Sequence, residues 1–184
     1  MQVVKTRFEG LIEFIPEVFH DSRGWFYEYY TEREFSKHGI THSFVQDNQS
    51  FTRKGCIRGL HLQLPPAAQA KLVSVITGRI LDVVVDLRAG SPTFGQHYTC
   101  EMDGNRHNMM YVPAGFAHGF AALEDTVFFY KCSDYYSREN EAGVKWDDPE
   151  LAIKWPIENP VVSSKDQALP SFEEFMRKSV TSQL

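Results

Sequence analysis

Three side chains with complementary chemistry share one short stretch, Gly55 to Leu72, which reads GCIRGLHLQLPPAAQAKL. Arg58 can only donate hydrogen bonds and stays charged, so it suits a phosphate or a carboxylate. His61 can move a proton near neutral pH. Lys71 opens an apolar, β-prone run, where partial burial would sharpen its electrostatics or shift its pKa. The stretch thus offers an anion anchor, a base and a cation.

Strand alternation says where these groups can point. In Leu60-His61-Leu62-Gln63, His61 and Gln63 share one face and the leucines the other. If the leucines are core, His61 faces a cavity, although a histidine hydrogen-bonded within a strand has the same local sequence. Arg58 has the opposite parity, and a bulge at Gly59 would let both residues point inward. Without that bulge Arg58 is a rim residue or a salt-bridge partner. Lys71 shares a face with Val73 and Val75, or snorkels to water from a strand end.

Three further residues could join them. His118 follows the turn Pro113-Ala114-Gly115, between glycines and phenylalanines, and is either a reactive group or a packed histidine locked in one tautomer. Tyr130 closes Val127-Phe128-Phe129-Tyr130 and is a core tyrosine or a general acid. Asp166, in Ser163-Ser164-Lys165-Asp166, caps a helix or orients a histidine as its dyad partner. A metal site usually needs three protein ligands, often two histidines and a carboxylate. Here His61 is followed by Gln63, no carboxylate lies between His61 and Lys71, and a lysine would repel the ion. No metal is expected.

The elements that must carry these groups are mostly strands. Met1 to Pro16 reads as one or two strands, and Phe19 to Tyr30 as a turn at Ser22-Arg23-Gly24 running into an aromatic strand. Thr31 to Gly39 reads as a short helix with a Thr31/Glu34 capping box and a glycine stop. Residues 44–52 are polar and β-prone. Lys71 to Leu87 shows two Val/Ile-rich runs flanking Thr77-Gly78, which predicts a hairpin. In its second run Asp82, Val84 and Asp86 share a face, so that face should line a polar cavity or solvent. Strands are expected at 96–102, 109–112 and 126–136, an irregular segment at 137–160 and a helix at 172–178. Many short strands with glycine turns predict a mainly β fold, a sandwich or barrel around a cavity.

The bulk numbers set limits. A chain of 184 residues, 42% hydrophobic and 23% charged, suits one soluble domain spanning 1–184 with a sizeable core. Its net charge of -5 weighs against general nucleic-acid binding, which needs clustered cations. Cys56, Cys100 and Cys132 form no CxxC pair, which suggests reduced thiols in a cytoplasm. The start, MQVVKTRFEG, lacks the apolar core of a secretion signal. No apolar run approaches the roughly 20 residues of a membrane helix.

In order, the chain also carries FHDSRGWF from Phe19, QDNQS from Gln46, RGLH from Arg58 and QAKLV from Gln69. DVVVDLR from Asp82, GSPTFG from Gly90, PAGFAHGF from Pro113, WDDP from Trp146 and Lys165-Asp166 follow. This ordered set resembles the dTDP-4-dehydrorhamnose 3,5-epimerases, cupin-like β-barrels of the jelly-roll type with a few short peripheral helices. The resemblance implies a cofactor-free epimerase that inverts carbons 3 and 5 of a dTDP-4-keto-6-deoxy-sugar in rhamnose biosynthesis. His61 with Asp166 would be the base, Tyr130 the acid on the opposite face, and Lys71 the cation that stabilises the enolate. His118 and Asp82 would support the site, and Arg58 would hold a phosphate. Gln46, Asp47 and Asn48 would line the nucleotide site, with Tyr136 stacking on the base and Glu141 and Lys165 nearby. Arg23 and Glu28 would reach the nucleotide of the other subunit, because the family exchanges N-terminal strands in a homodimer.

Relatives that invert only one carbon keep much of the same site, so a mono-epimerase stays open. So do a metal-dependent cupin enzyme, which would lose activity to a chelator, and a non-catalytic sugar-binding barrel, which would still bind ligand after His61→Ala.

Overall fold

The structure, a computed structural model, describes residues 1–181, with side chains through residue 178. The strands are β1 (Gln2–Lys5), β2 (Ile12–Ile15), β3 (Phe19–Asp21), β4 (Gly24–Phe26), β5 (Gln46–Thr52), β6 (Cys56–Gln63) and β7 (Lys71–Thr77). They continue as β8 (Arg79–Asp86), β9 (His97–Asp103), β10 (Met109–Val112), β11 (Phe116–Ala122), β12 (Thr126–Cys132), β13 (Glu141–Gly143) and β14 (Val161–Val162). Among the described residues three α-helices accompany them, α1 (Glu32–Ser36), α2 (Ser164–Gln167) and α3 (Phe172–Thr181), with a 3-10 turn at Arg138–Asn140. One sheet runs β1-β2-β10-β7-β12-β5 and the other β13-β6-β11-β8-β9, with β14 beside β6; β3 and β4 form a separate hairpin.

The two large sheets face each other across an apolar core. Val73, Val75, Met110 and Phe128 from the first meet Ile80, Val84, Met102, Phe116 and Phe120 from the second. The outer face of the first sheet buries Phe14, Leu72 and Met109 against Phe35 of α1 and Ile40. The outer face of the second buries Leu60, Val83, Val85 and Ala117 under Val144, Leu151 and Phe175 of α3. Each central strand is therefore buried on both faces, which is why β7 and β8 read as continuous apolar runs. The expected mainly β, cupin-like jelly roll with small peripheral helices is the fold of this chain.

Three local expectations are corrected. The runs flanking Thr77-Gly78 do not pair with each other: β7 lies between β10 and β12, and β8 between β9 and β11. Gly78 (φ +86) turns the chain from one sheet to the facing one, and a Cβ there would collide with the Asp125 carbonyl. Asp86 does not face a cavity. It is fully buried and accepts from Arg88 Nε (2.9 Å), Ser91 Oγ (2.6 Å) and Thr93 Oγ1 (2.6 Å). Helix α1 starts after Thr31 and is closed at Gly39 (φ +86), but the capping box does not form. Thr31 Oγ1 donates to Glu28 instead, and Glu34 takes Lys37 at 2.8 Å.

Candidate active site

The site is built around the irregular middle of β6. Opposite it on β11, His118 pairs with His61 and Phe120 with Arg58, so β6 holds one more residue than β11 between these points. That is a bulge, and Gly59 (φ +121) makes it possible. A Cβ on Gly59 would lie 2.6 Å from Gly119 Cα and 2.9 Å from the His118 carbonyl oxygen. The bulge lets Arg58 and His61, of opposite parity, line the same cleft.

That cleft has a volume of about 640 Å³, and its lining includes Arg58, His61, Lys71, His118, Tyr130 and Asp166. A second recess of about 260 Å³ shares His61, Lys71 and Tyr130 with it and adds Gln46, Asn48, Tyr136 and Glu141. The two are lobes of one groove that meet at the three shared side chains.

His61 Nε2 lies 2.7 Å from Asp166 Oδ1, and the other carboxylate oxygen accepts the Gly59 amide at 3.1 Å. Ser163 caps α2, its hydroxyl accepting from the Asp166 amide, so a short turn of helix aims the carboxylate at the histidine. Asp166 is 4% exposed. Burial alone would raise its pKa, but the bonds from His61 and Gly59 outweigh that and hold the carboxyl below its ordinary value. A carboxylate on Nε2 keeps the proton there and leaves Nδ1 as the basic nitrogen. His118 Nε2 makes a second such pair with Asp82 Oδ1 at 2.7 Å. Asp82 is 1% exposed and stands behind His118 rather than in the cleft.

Across the groove stand Lys71 on β7 and Tyr130 on β12, with the ammonium 6.0 Å from the phenol ring centre. Burial pulls the Lys71 pKa below its ordinary value, against the opposing pull of Glu141 and Asp82. Burial pushes the Tyr130 phenol up, while Arg58 pulls it down. A partly buried cation and a phenol with a retained proton thus face a histidine. Such a set can remove a proton next to a carbonyl, stabilise the resulting oxyanion and return a proton from elsewhere.

The nucleotide-site residues are brought together in part. Gln46 Nε2 donates to Asn48 Oδ1 (3.1 Å), and Gln46 Oε1 accepts the Tyr136 amide (3.0 Å). Tyr136 OH and Lys165 Nζ both bind Glu141, at 2.8 and 2.6 Å. Asp47 is not among them: β5 alternation turns it to the other face, where it pairs with Lys131 at 2.8 Å. Arg23 lies in the β3–β4 turn, paired with Asp21, and Glu28 is exposed beside Thr31; neither reaches this chain's groove.

Sequence reasoning missed four contributors. Phe120 and Phe128 wall the cleft, ring centres 4.5 Å apart. They share strand faces with His118 and Tyr130, so period-2 spacing would have found them. Thr52 accepts Arg58 Nε at 2.8 Å across the turn, a pairing with no sequence signature, and Ser163 sets α2, which its Ser-x-x-Asp spacing could have indicated.

Residues 5–174 match the family model described as dTDP-4-dehydrorhamnose 3,5-epimerase. The chain belongs to this family. It is an epimerase, of the isomerase class. The dTDP-4-dehydrorhamnose 3,5-epimerase of Shigella flexneri is 43% identical over 168 residues, 90% of this chain and 93% of that one. The solved enzyme of Bacillus anthracis str. Ames, with TDP and PPi bound, is 46% identical, with a TM-score of 0.91 over 93% of this chain and 99% of that one. A 3'-monoepimerase from Streptomyces bikiniensis, in complex with dTDP-quinovose, is 34% identical, with a TM-score of 0.88 over 95% of this chain and 89% of that one.

Proposed function

We propose that this epimerase inverts carbons 3 and 5 of dTDP-4-dehydro-6-deoxyglucose, giving dTDP-4-dehydrorhamnose. The observation that carries the reading is the 2.7 Å His61–Asp166 pair in a cleft that Lys71 and Tyr130 also line. The ketone at carbon 4 acidifies the hydrogens on both neighbouring carbons. His61 Nδ1 takes one of them, and Asp166 stabilises the imidazolium that forms. Lys71 stabilises the oxygen of the enolate. Tyr130 returns a proton to the opposite face, and the carbon is inverted. No electron leaves the sugar, so the scheme calls for no redox cofactor.

In this reading Arg58 holds a phosphate, and His118, positioned by Asp82, supports the sugar. Gln46, Asn48, Tyr136, Glu141 and Lys165 form the nucleotide side. Residues 1–184 act as one domain, of which 182–184 lie outside the described residues. The chain works as a homodimer whose β3–β4 arms carry Arg23 and Glu28 to the other subunit; Phe19, Trp25 and Phe26 on this arm are 56%, 58% and 69% exposed. Three unbridged cysteines fit a reducing cytoplasm. Among the described residues no helix is long and apolar enough to cross a membrane.

A second reading, inversion of one carbon only, is favoured by the similarity to the 3'-monoepimerase. One experiment separates the two. The protein is incubated in heavy water with EDTA and dTDP-4-dehydro-6-deoxyglucose, and deuterium is located by NMR. Label at carbons 3 and 5 supports the double epimerase. Label at one carbon selects the second reading. No label, with the nucleotide still bound, sinks both.

A further inference from the structure

Arg53 has no role in the chemistry above, yet it lines the cleft at the start of the turn between β5 and β6. The same turn ends just before the strand that carries Arg58. Among the described residues the Arg53 guanidinium has no hydrogen bond to protein and no ion pair, and the side chain is exposed. Most other arginines here are spoken for: Arg23, Arg33, Arg79, Arg88 and Arg177 each pair with a carboxylate.

Arg58 differs in a telling way. Its Nε donates to Thr52 Oγ1 at 2.8 Å and one terminal nitrogen donates to the Phe51 carbonyl at 3.1 Å. Both acceptors are neutral, so they fix the guanidinium without neutralising it. Of the five N–H groups on an arginine, these bonds use two and leave enough for one phosphate held bidentately. They also place the Arg58 guanidinium against residues 51 and 52, the two residues that precede Arg53. A sugar nucleotide of this class carries two phosphates. Of the other two cations on the cleft wall, Lys71 serves the enolate oxygen in the reading above, and Lys165 is already bound to Glu141 at 2.6 Å. The unmatched guanidinium charge that this chain itself places at the mouth is therefore Arg53 next to Arg58, on a chain whose net charge is -5.

We infer that Arg53 is a further phosphate-binding residue, which shares the substrate's diphosphate with Arg58. The inference rests on the nucleotide-sugar reading of the cleft. Its contact is exposed, so it acts on binding and not on the proton transfers, and salt screens it.

The test uses dTDP as probe, with the full-length protein, by calorimetry at low and at high salt. Arg53→Ala weakens dTDP binding by roughly tenfold at low salt, as expected for loss of a charge-assisted contact. The deficit shrinks at high salt, and Arg53→Lys, a point charge without the fork, recovers part of it. In turnover, KM rises and kcat stays as in the unsubstituted enzyme. Equal dTDP affinity in Arg53→Ala and the unsubstituted protein overturns the inference. So does a loss that is independent of salt and appears in kcat, because that marks a structural role. If the unsubstituted protein itself fails to bind dTDP, the nucleotide-sugar reading falls, and this inference with it.

Discussion

The His61–Asp166 pair gives the sharpest prediction. Asp166→Asn keeps the side chain's size in a site where the carboxylate is 4% exposed. The amide oxygen can still accept the Gly59 N–H. Its NH2 group then faces His61 Nε2 and donates, so the imidazole must carry its proton on Nδ1. Nδ1 is the nitrogen required as a free base, and the imidazolium also loses its counter-charge. In another enzyme, a serine protease, the same carboxylate-to-amide change lowers kcat by about 10⁴. Here the His61 side chain is 29% exposed, so water screens part of the effect. A fall in kcat of about 10³ to 10⁴ is expected, which is roughly 4 to 5.5 kcal/mol at 1.36 kcal/mol per tenfold. The assay is the rate of deuterium uptake at carbons 3 and 5 in heavy water, followed by NMR, with the melting temperature measured alongside. Turnover within tenfold of the unsubstituted enzyme at an unchanged melting temperature would refute the assignment of His61 as the base held by Asp166.

If the Tyr130 phenol returns the proton and does not remove it, as proposed, Tyr130→Phe should cut product formation far more than deuterium exchange; equal losses in both would end that division of labour. Lys71→Met should lower kcat by about 10² to 10³, as for loss of an oxyanion-stabilising group. Because burial lowers the Lys71 pKa from its ordinary 10.5, kcat should fall on an alkaline limb that begins below that value, and this limb should be missing in the variant. Gly59→Ala should destabilise the fold by about 2 kcal/mol or more, through the positive φ and the contact with Gly119, read as a lower denaturation midpoint. Asp86 has its carboxyl held down at about 2. Its charged form therefore stabilises the fold above the ordinary 3.8, and that contribution disappears as pH falls from 3.8 through about 2. Asp86→Asn should flatten the acid-unfolding curve across that window.

Much of the site was readable because strands impose a period of two. His61, Lys71, His118 and Tyr130 all stand where alternation puts them, and Gly59 announced the bulge that reconciles Arg58 with His61. The same rule, applied strictly, would have turned Asp47 away from Gln46 and Asn48. Where each strand goes was not readable. A glycine turn between two apolar runs looks the same in a hairpin and at a corner between sheets, and only pairing with β10, β11 and β12 decides for Gly78. Asp82 and Asp86 also look equivalent on β8. One meets His118 from the neighbouring strand and the other meets Arg88, Ser91 and Thr93 from the next loop, so partners outside the strand set their roles. The capping box failed for a related reason: Lys37 offers Glu34 a full charge, and the reciprocal bond at Thr31 offers only a backbone amide.

The corner at Gly78 has a consequence for stereochemistry. It sends β7 and β8 to opposite sheets: Lys71 and Tyr130 stand on the wall that holds β7, and His61, on β6, on the wall that holds β8. Facing sheets keep a spacing of roughly 10 Å, and a sugar ring in that gap shows one face to each wall. Inversion then follows from the architecture: a proton leaves toward one sheet and arrives from the other. On the proposed assignment the sandwich is a caliper whose jaws carry base and acid, and its opening is set by core side chains such as Val73, Val84 and Phe128 that line neither role.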